Sequence, residues 1–204
     1  SNGIAAGQTG QMLNATTGSA GILIKNQTHY YESNYHSGSA AGSAGLFSAR
    51  CAGSLGNSLK ISMCTSANAF SQASVTTVSD SSISVGHTQI TVADGTKFVV
   101  GDLIAFANSA DVYKISAISS NDITFHLNSD SSQGLQVVPT NGSNIARGWE
   151  FASSFTKAPG SSPDALANSS SLDEVHVIVI DEDGKIPGIP GEILEVFEGL
   201  SQAS

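Results

Sequence analysis

Residues 175–180 read VHVIVI, the most continuously apolar and β-branched run of the chain. A run of this kind is typical of a strand that is covered on both faces. A polar turn of sequence DEDG follows at residues 181–184, and residues 192–198 then carry acids three positions apart. That spacing places polar side chains on one side of a helix. A buried strand followed by a helix predicts an α/β layer.

Upstream of this run, residues 75–145 have a different texture, with short alternating segments between turns. Residues 112–118 (VYKISAI) and 123–127 (ITFHL) flank Asn121 and Asp122, two residue types that tolerate left-handed backbone and suit a hairpin turn. Residues 135–138, which Pro139 follows, have the pattern of an edge strand. The region as a whole predicts a small antiparallel β-barrel or sandwich.

The expected fold class is therefore mixed, α+β or α/β. We predict a split, sandwich-like α/β domain, made of residues 21–74 and 146–204 and incomplete at its C-terminus. Residues 75–145 form an inserted β domain within it. Residues 1–20 contain few large apolar side chains and predict a linker or arm, because such a segment buries too little surface to offset its ordering entropy.

Charge is scarce and unevenly distributed. The 204 residues have a net charge of −9, and only 12% of them are charged. Eight scattered basic residues argue against binding to DNA or RNA, which requires clustered lysine and arginine. Residues 173–198 hold eight acids against Lys185 alone. This acidic stretch is either a solvated face or one side of an electrostatic contact between copies of the chain.

No catalytic motif is present in the sequence, and we expect no enzyme activity, no cofactor, and no catalytic, cofactor-binding or metal-binding residues. His29 and His36 lack a convincing third metal ligand. Asp181 and Asp183 resemble the start of a calcium loop, but the closing acids of such a loop are missing. The two cysteines, Cys51 and Cys64, are expected to be buried free thiols. The sequence contains no apolar run long enough for a membrane span and no secretion signal.

Six segments, taken in order, resemble one known family. They are residues 22–26 (ILIKN), 48–50 (SAR), 53–62 (GSLGNSLKIS), 151–161 (FASSFTKAPGS), 173–181 (DEVHVIVID) and 190–204 (PGEILEVFEGLSQAS). Their order and spacing are similar to those of contractile tail sheath proteins of long-tailed bacteriophages. The resemblance covers most of residues 22–204 and is poorest in the β insert.

The resemblance implies a structural subunit of the virion tail, assembled in the cytoplasm of the host bacterium. Copies would polymerise as a helical sleeve around the tail tube and contract to drive the tube through the host envelope for genome ejection. The implied partners are other copies, the tail tube protein, and the baseplate and tail terminator proteins. No direct nucleic-acid contact and no stable membrane association are expected. The chain would be an internal piece without its linking arms, and its intersubunit contacts remain unassigned.

Two other classes remain open. A receptor-binding or decoration module of a virion is favoured if Tyr113 and Phe125 line an exposed aromatic groove. A secreted polysaccharide enzyme needs paired carboxylates in a cleft. The available carboxylates, Asp102, Asp111 and Asp122, lie near predicted turns, where aspartate is ordinarily structural.

Overall fold

A computed structural model describes residues 9–11, 26–32 and 54–201 of the chain. The strands, in chain order, are β1 Thr9–Gln11, β2 Leu59–Cys64, β3 Ser71–Thr77, β4 Gln89–Thr91, β5 Leu103–Phe106, β6 Val112–Ser119, β7 Asp122–Leu127, β8 Asn144–Gly148, β9 Glu174–Asp181 and β10 Glu192–Ser201. The helices are short: α1 Gln27–Glu32, α2 Ser54–Asn57, α3 Ala67–Phe70 and α4 Pro163–Ala167. The described chain is therefore mostly β, with two antiparallel sheets.

The chain divides into two compact units. In the described residues, the first unit contains residues 9–11, 26–32, 54–63 and His176–Glu198, and the second contains Cys64–Val175 and residues 199–201. The predicted domain boundaries stay a prediction. Within the predicted arm, β1 pairs antiparallel with β2, with Thr9 opposite Ser62. The predicted strand at residues 21–25 lies outside the described residues.

The first sheet has the order β1-β2-β9-β10. Strand β9 coincides with the apolar run that opened the sequence, and His176, Ile178 and Ile180 on one of its faces are fully buried. Val177 and Val179, on the other face, are only half-buried. The strand is therefore confirmed, but its second face is covered less completely than its composition suggests.

The helix predicted at residues 192–198 is wrong, because this segment lies within β10. Its acids recur at helical spacing, but its apolar residues Ile193, Val196 and Phe197 are good strand formers. The neighbouring strand β9 supplies the backbone hydrogen bonds that a helix would make internally. With this segment a strand, the expected α/β layer is absent from the described residues.

The second sheet has the order β3-β8-β5-β6-β7-β4. Its outermost strands, β3 and β4, form no ladder with one another, and just beyond them the chain makes one isolated bridge between Val78 and Val92. The sheet therefore curls without closing, and the predicted barrel is not formed. The β6–β7 hairpin is confirmed, although the left-handed residue in its turn is Ser120, with φ 56°. Residues 135–138 are not a strand, but Leu135 is fully buried.

Three aromatic rings occupy the interior of the curled sheet. Phe125 lies with its ring centroid 6.1 Å from that of Phe106 and 5.3 Å from that of Tyr113, in edge-on contacts. The Tyr113 hydroxyl accepts a hydrogen bond from the backbone N–H of Gln136 at 3.0 Å, which satisfies the one polar atom of this cluster. Phe98 and a set of aliphatic side chains fill the remaining core, the latter being Val78, Ile90, Val92, Ile104, Ile115, Ile123, Leu135 and Ile145.

Replacement of Phe125 by alanine should destabilise the second unit by about 3–5 kcal/mol, because it leaves a cavity between two aromatic rings. The exposed Val85 provides a matched control, since Val85→Ala should stay within about 0.5 kcal/mol of the wild type. Urea denaturation followed by tryptophan fluorescence measures both. Equal effects of the two substitutions would show that the aromatic cluster is not the core.

Candidate functional site

Strand β10 is the last strand in the first sheet, and the described residues supply no strand beyond it. Four of its apolar side chains are exposed: Ile193 by 41%, Val196 by 44%, Phe197 by 38% and Leu200 by 43%. Ile193 and Phe197 share one face of the strand, and Val196 lies on the other. A long edge strand presents a row of unpaired N–H and C=O groups to which another strand can add. With apolar side chains on both faces, this edge is the candidate interaction surface.

The turn before β10 exposes further apolar surface. Ile186 and Ile189 lie between β9 and β10, and both side chains are largely exposed. Single exposed apolar residues are ordinary on a protein surface, but five within residues 186–197 are a concentration that commonly marks an interaction site. We define the "β10 surface" as Ile186, Ile189, Ile193, Val196 and Phe197.

A buried carboxylate holds this turn in place. Asp181, at the end of β9, accepts hydrogen bonds from the Ser58 hydroxyl and from the backbone N–H groups of Lys185 at 3.1 Å and Ile186 at 2.7 Å. Ser58 also accepts hydrogen bonds from the backbone of the turn, its carbonyl from Glu182 at 2.7 Å and its hydroxyl from Asp183 at 3.2 Å. The start of β2, the end of β9 and the turn into β10 are therefore fixed by one network.

These contacts also set the ionisation of Asp181. Burial acts to raise its pKa, but the hydrogen bonds from Ser58 and from the backbone N–H groups of Ile186, Lys185 and Gly184 outweigh burial and hold the pKa below its usual value. The carboxylate is thus charged at neutral pH, and the hydrogen bonds that it accepts are of the stronger, charge-assisted kind.

The same turn requires a glycine at residue 184. Gly184 has φ 70°, and a Cβ atom there would lie 2.6 Å from the nitrogen of Pro190. The turn closes through a hydrogen bond from the Gly191 N–H to the Asp181 carbonyl at 2.7 Å. Close approach of the two ends of the turn therefore directs the chain back along β9 as β10.

The far end of β10 is held by a second carboxylate. Asp173 accepts hydrogen bonds from the Ser201 hydroxyl and from the Ser162 N–H at 2.8 Å and hydroxyl at 2.7 Å. These hydrogen bonds, led by that from Ser201, lower the pKa of Asp173 to about 2. Ser162 in turn caps α4, accepting a hydrogen bond from the Ala165 N–H at 3.2 Å.

The basic residues of the described chain are already engaged. All six of them form ion pairs with acids: Lys60 with Glu182, Lys97 with Asp94, Lys114 with Glu150, Arg147 with Asp102, Lys157 with Glu174 and Lys185 with Asp183. Lys25 and Arg50 lie outside the described residues. None of the six pairs includes Glu192 or Glu195 of β10.

The candidate metal ligands do not converge in the described residues, where no group of three or more potential ligands occurs. The Asp181 carboxylate is occupied by the hydrogen bonds described above, and Asp183 pairs with Lys185 at 2.8 Å. His29 lies in α1, where its backbone N–H bonds to the Asn26 side chain, and His36 lies outside the described residues. The calcium interpretation of residues 181–184 therefore gains no support.

The three aspartates considered for polysaccharide chemistry make separate structural contacts. Asp102 is 1% exposed and pairs with Arg147 at 2.8 Å. Burial, only partly offset by Arg147, raises its pKa to about 6. A raised pKa is common to catalytic acids and to buried structural pairs, but a group this deeply buried is inaccessible to a polysaccharide. Asp111 accepts a hydrogen bond from Ser109, and Asp122 accepts one from Thr91.

A concave region also lies beside β4 in the second unit. It is an open, polar depression of about 430 Å³ that Asp80, Ser82 and residues 86–91 line. Asp80 is occupied there by a local hydrogen bond from the Ser82 N–H at 2.8 Å. Binding pockets for small molecules are usually enclosed and mostly apolar, so the depression is a weaker candidate than the β10 surface. Among the described helices, none has the length and apolarity needed to cross a membrane.

Comparison with protein-family models, with curated proteins and with solved structures found no match to this chain. The candidate site therefore rests on the geometry of β10 and its turn. Sequence reasoning missed it because the acid spacing suggested a helix. The signal that could have found it is the strand-forming composition of residues 193–197 between Gly191 and Gly199.

Two glycines of the turn allow a matched test of its geometry. Gly184→Ala should destabilise the first unit by about 2–5 kcal/mol, since it adds a steric clash to the cost of left-handed backbone. Gly188 also has positive φ, but a Cβ atom there would contact nothing within 4 Å. Gly188→Ala should therefore cost only about 1–2 kcal/mol. Thermal unfolding measures both, and equal losses would contradict the close approach at Gly184.

The low pKa of Asp173 predicts a pH dependence of stability. Because its pKa is about 2 in the folded chain against a reference value of 3.8, its contribution is fully present above the reference value and is lost as pH falls through the folded value. The difference in unfolding free energy between wild type and Asp173→Asn should thus be constant near neutral pH and shrink between these two pKa values. A difference that stays constant throughout this acid range would refute the assignment.

Proposed function

We propose that this chain is a structural subunit of a contractile phage tail sheath, which assembles with copies of itself as a helical sleeve around the tail tube. One observation carries the proposal: β10 has a free edge in the described chain and exposes apolar side chains on both faces. An edge of that kind is a liability in a monomer. It is useful in a subunit that is completed by a strand from another molecule.

The surface composition supports the same role. Charged residues make up 12% of the chain, and a surface of neutral polar side chains costs less to desolvate when a partner covers it. Contraction would draw its energy from repacking of repeated interfaces between two geometries, which is a recognised kind of bistable transition. No cofactor and no catalytic residue are needed for this function. The family in this proposal rests on the ordered resemblance of the sequence to sheath proteins.

The runner-up function, a receptor-binding or decoration module, loses the feature that favoured it. Tyr113 is fully buried and Phe125 is 1% exposed, so both rings belong to the core of the second unit. Neither ring lines an exposed groove. The proposed tail location, the tube, baseplate and terminator partners, and the absence of nucleic-acid and membrane contacts all follow from the sheath proposal.

The complete gene product should form tubes or sleeves in negative-stain micrographs. Combined Ile193→Thr and Phe197→Thr substitutions should abolish them, since threonine keeps the strand propensity but removes apolar contact area. The matched control combines Val85→Thr and Leu166→Thr, at two exposed sites in the second unit. We expect the control to assemble as the wild type does. Monomers that bind glycans in place of sleeves would overturn the proposal.

A further inference from the structure

The β10 strand carries a regular pattern of charge. Glu192, Glu195 and Glu198 recur at every third position, with two apolar residues between one glutamate and the next. Glu195 lies on the face that holds Ile193 and Phe197, and Glu192 and Glu198 lie on the face that holds Val196. Each face of the edge therefore combines apolar contact area with negative charge.

No cation of the described chain neutralises the centre of this pattern. Glu195 is exposed, and every described lysine and arginine is already paired with an acid other than Glu192 and Glu195. A strand that adds to β10 would desolvate Glu195 in part, and a charge without a counter-charge is costly to desolvate. The edge thus favours a partner that brings positive charge.

The same pattern opposes pairing between two copies of β10. In the antiparallel register that places Ile193 against Phe197 of the second copy, Glu195 lies opposite Glu195, and Glu192 lies opposite Glu198 at both ends. Like charges directly opposite one another destabilise a strand pair. Other antiparallel registers of residues 192–198 separate these charges only by setting glutamates against apolar residues. No antiparallel register confined to residues 192–198 satisfies both the apolar and the charged positions.

We infer that residues 192–198 of β10 take as their partner an extended segment bearing lysine or arginine, and that the glutamates oppose pairing with the same residues of a second copy. The inference rests on the proposed function, in which that segment belongs to another copy of the chain. A site that rejects itself gives a heterologous contact, and heterologous contacts build open arrays or rings and not closed dimers. The glutamates therefore act as a specificity device, in which repulsion removes the wrong partner.

Charge substitutions in the 204-residue chain test this inference by sedimentation. One variant replaces all three glutamates with glutamine, and a second replaces them with lysine. Wild type and the lysine variant should each remain free of β10 dimers. The glutamine variant should self-associate at least about tenfold more tightly than the wild type. An equimolar mixture of wild type and lysine variant should form heterodimers that dissociate as salt rises from about 0.05 M to about 1 M.

Two controls make the result specific to β10. Phe197→Thr in the glutamine background should abolish self-association, which shows that the new dimer uses this strand. The single substitutions Glu195→Gln and Glu195→Lys, at an exposed site, replace the triple variants if those fail to fold. Circular dichroism establishes folding in each case.

Wild-type dimers that Phe197→Thr dissociates would overturn the inference. So would a folded glutamine variant and a folded mixture that both stay monomeric. Neither result touches sleeve formation by the wild-type gene product, which micrographs report independently. Conversely, charge-selective pairing without sleeves would retain the inference for β10 but reject its place in a sheath.

Discussion

The buried carboxylate of Asp181 is the contact on which the first unit depends. It joins Ser58, at the start of β2, to the backbone of the turn that follows β9. Without these hydrogen bonds, a charged group would be left buried and unsatisfied, a penalty that ordinarily exceeds the worth of a single neutral hydrogen bond. The turn places β10 beside β9. The Asp181 network therefore fixes the position of the β10 edge, together with the apolar side chains and the glutamates that this edge carries.

In the described chain, no strand pairs with the outer edge of β10. The second unit buries its aromatic core within a curled six-stranded sheet whose outer strands meet at Val78 and Val92. Among the described residues, the last strand of the first sheet is instead the ten-residue β10, which has exposed apolar side chains. Stable monomers usually protect such an edge by bulges, prolines or charge. β10 carries three glutamates. They disfavour a negatively charged partner strand, but they leave exposed the apolar side chains that favour the addition of a strand.

Much of the β architecture was predictable from local pattern, because a strand with a strongly apolar or alternating sequence specifies itself. Strand β9 and the β6–β7 hairpin are examples. The secondary structure of residues 192–198 was not predictable in this way. Their acids favour a helix, their apolar residues favour a strand, and the decision comes from pairing with β9, which is a tertiary contact. The hydrogen bonds around Asp181 could not be predicted for the same reason, since Ser58 and Asp181 are 123 positions apart in the sequence.

The central claim is that copies assemble through the edge of β10 that no described strand covers. Hydrogen exchange of residues 192–198, compared between free subunits and assembled sleeves, tests it most directly. We predict that these amides become strongly protected on assembly, whereas the exposed loop at residues 82–88 exchanges equally in both states. Unchanged exchange in β10, with protection gained elsewhere in the chain, would contradict the account.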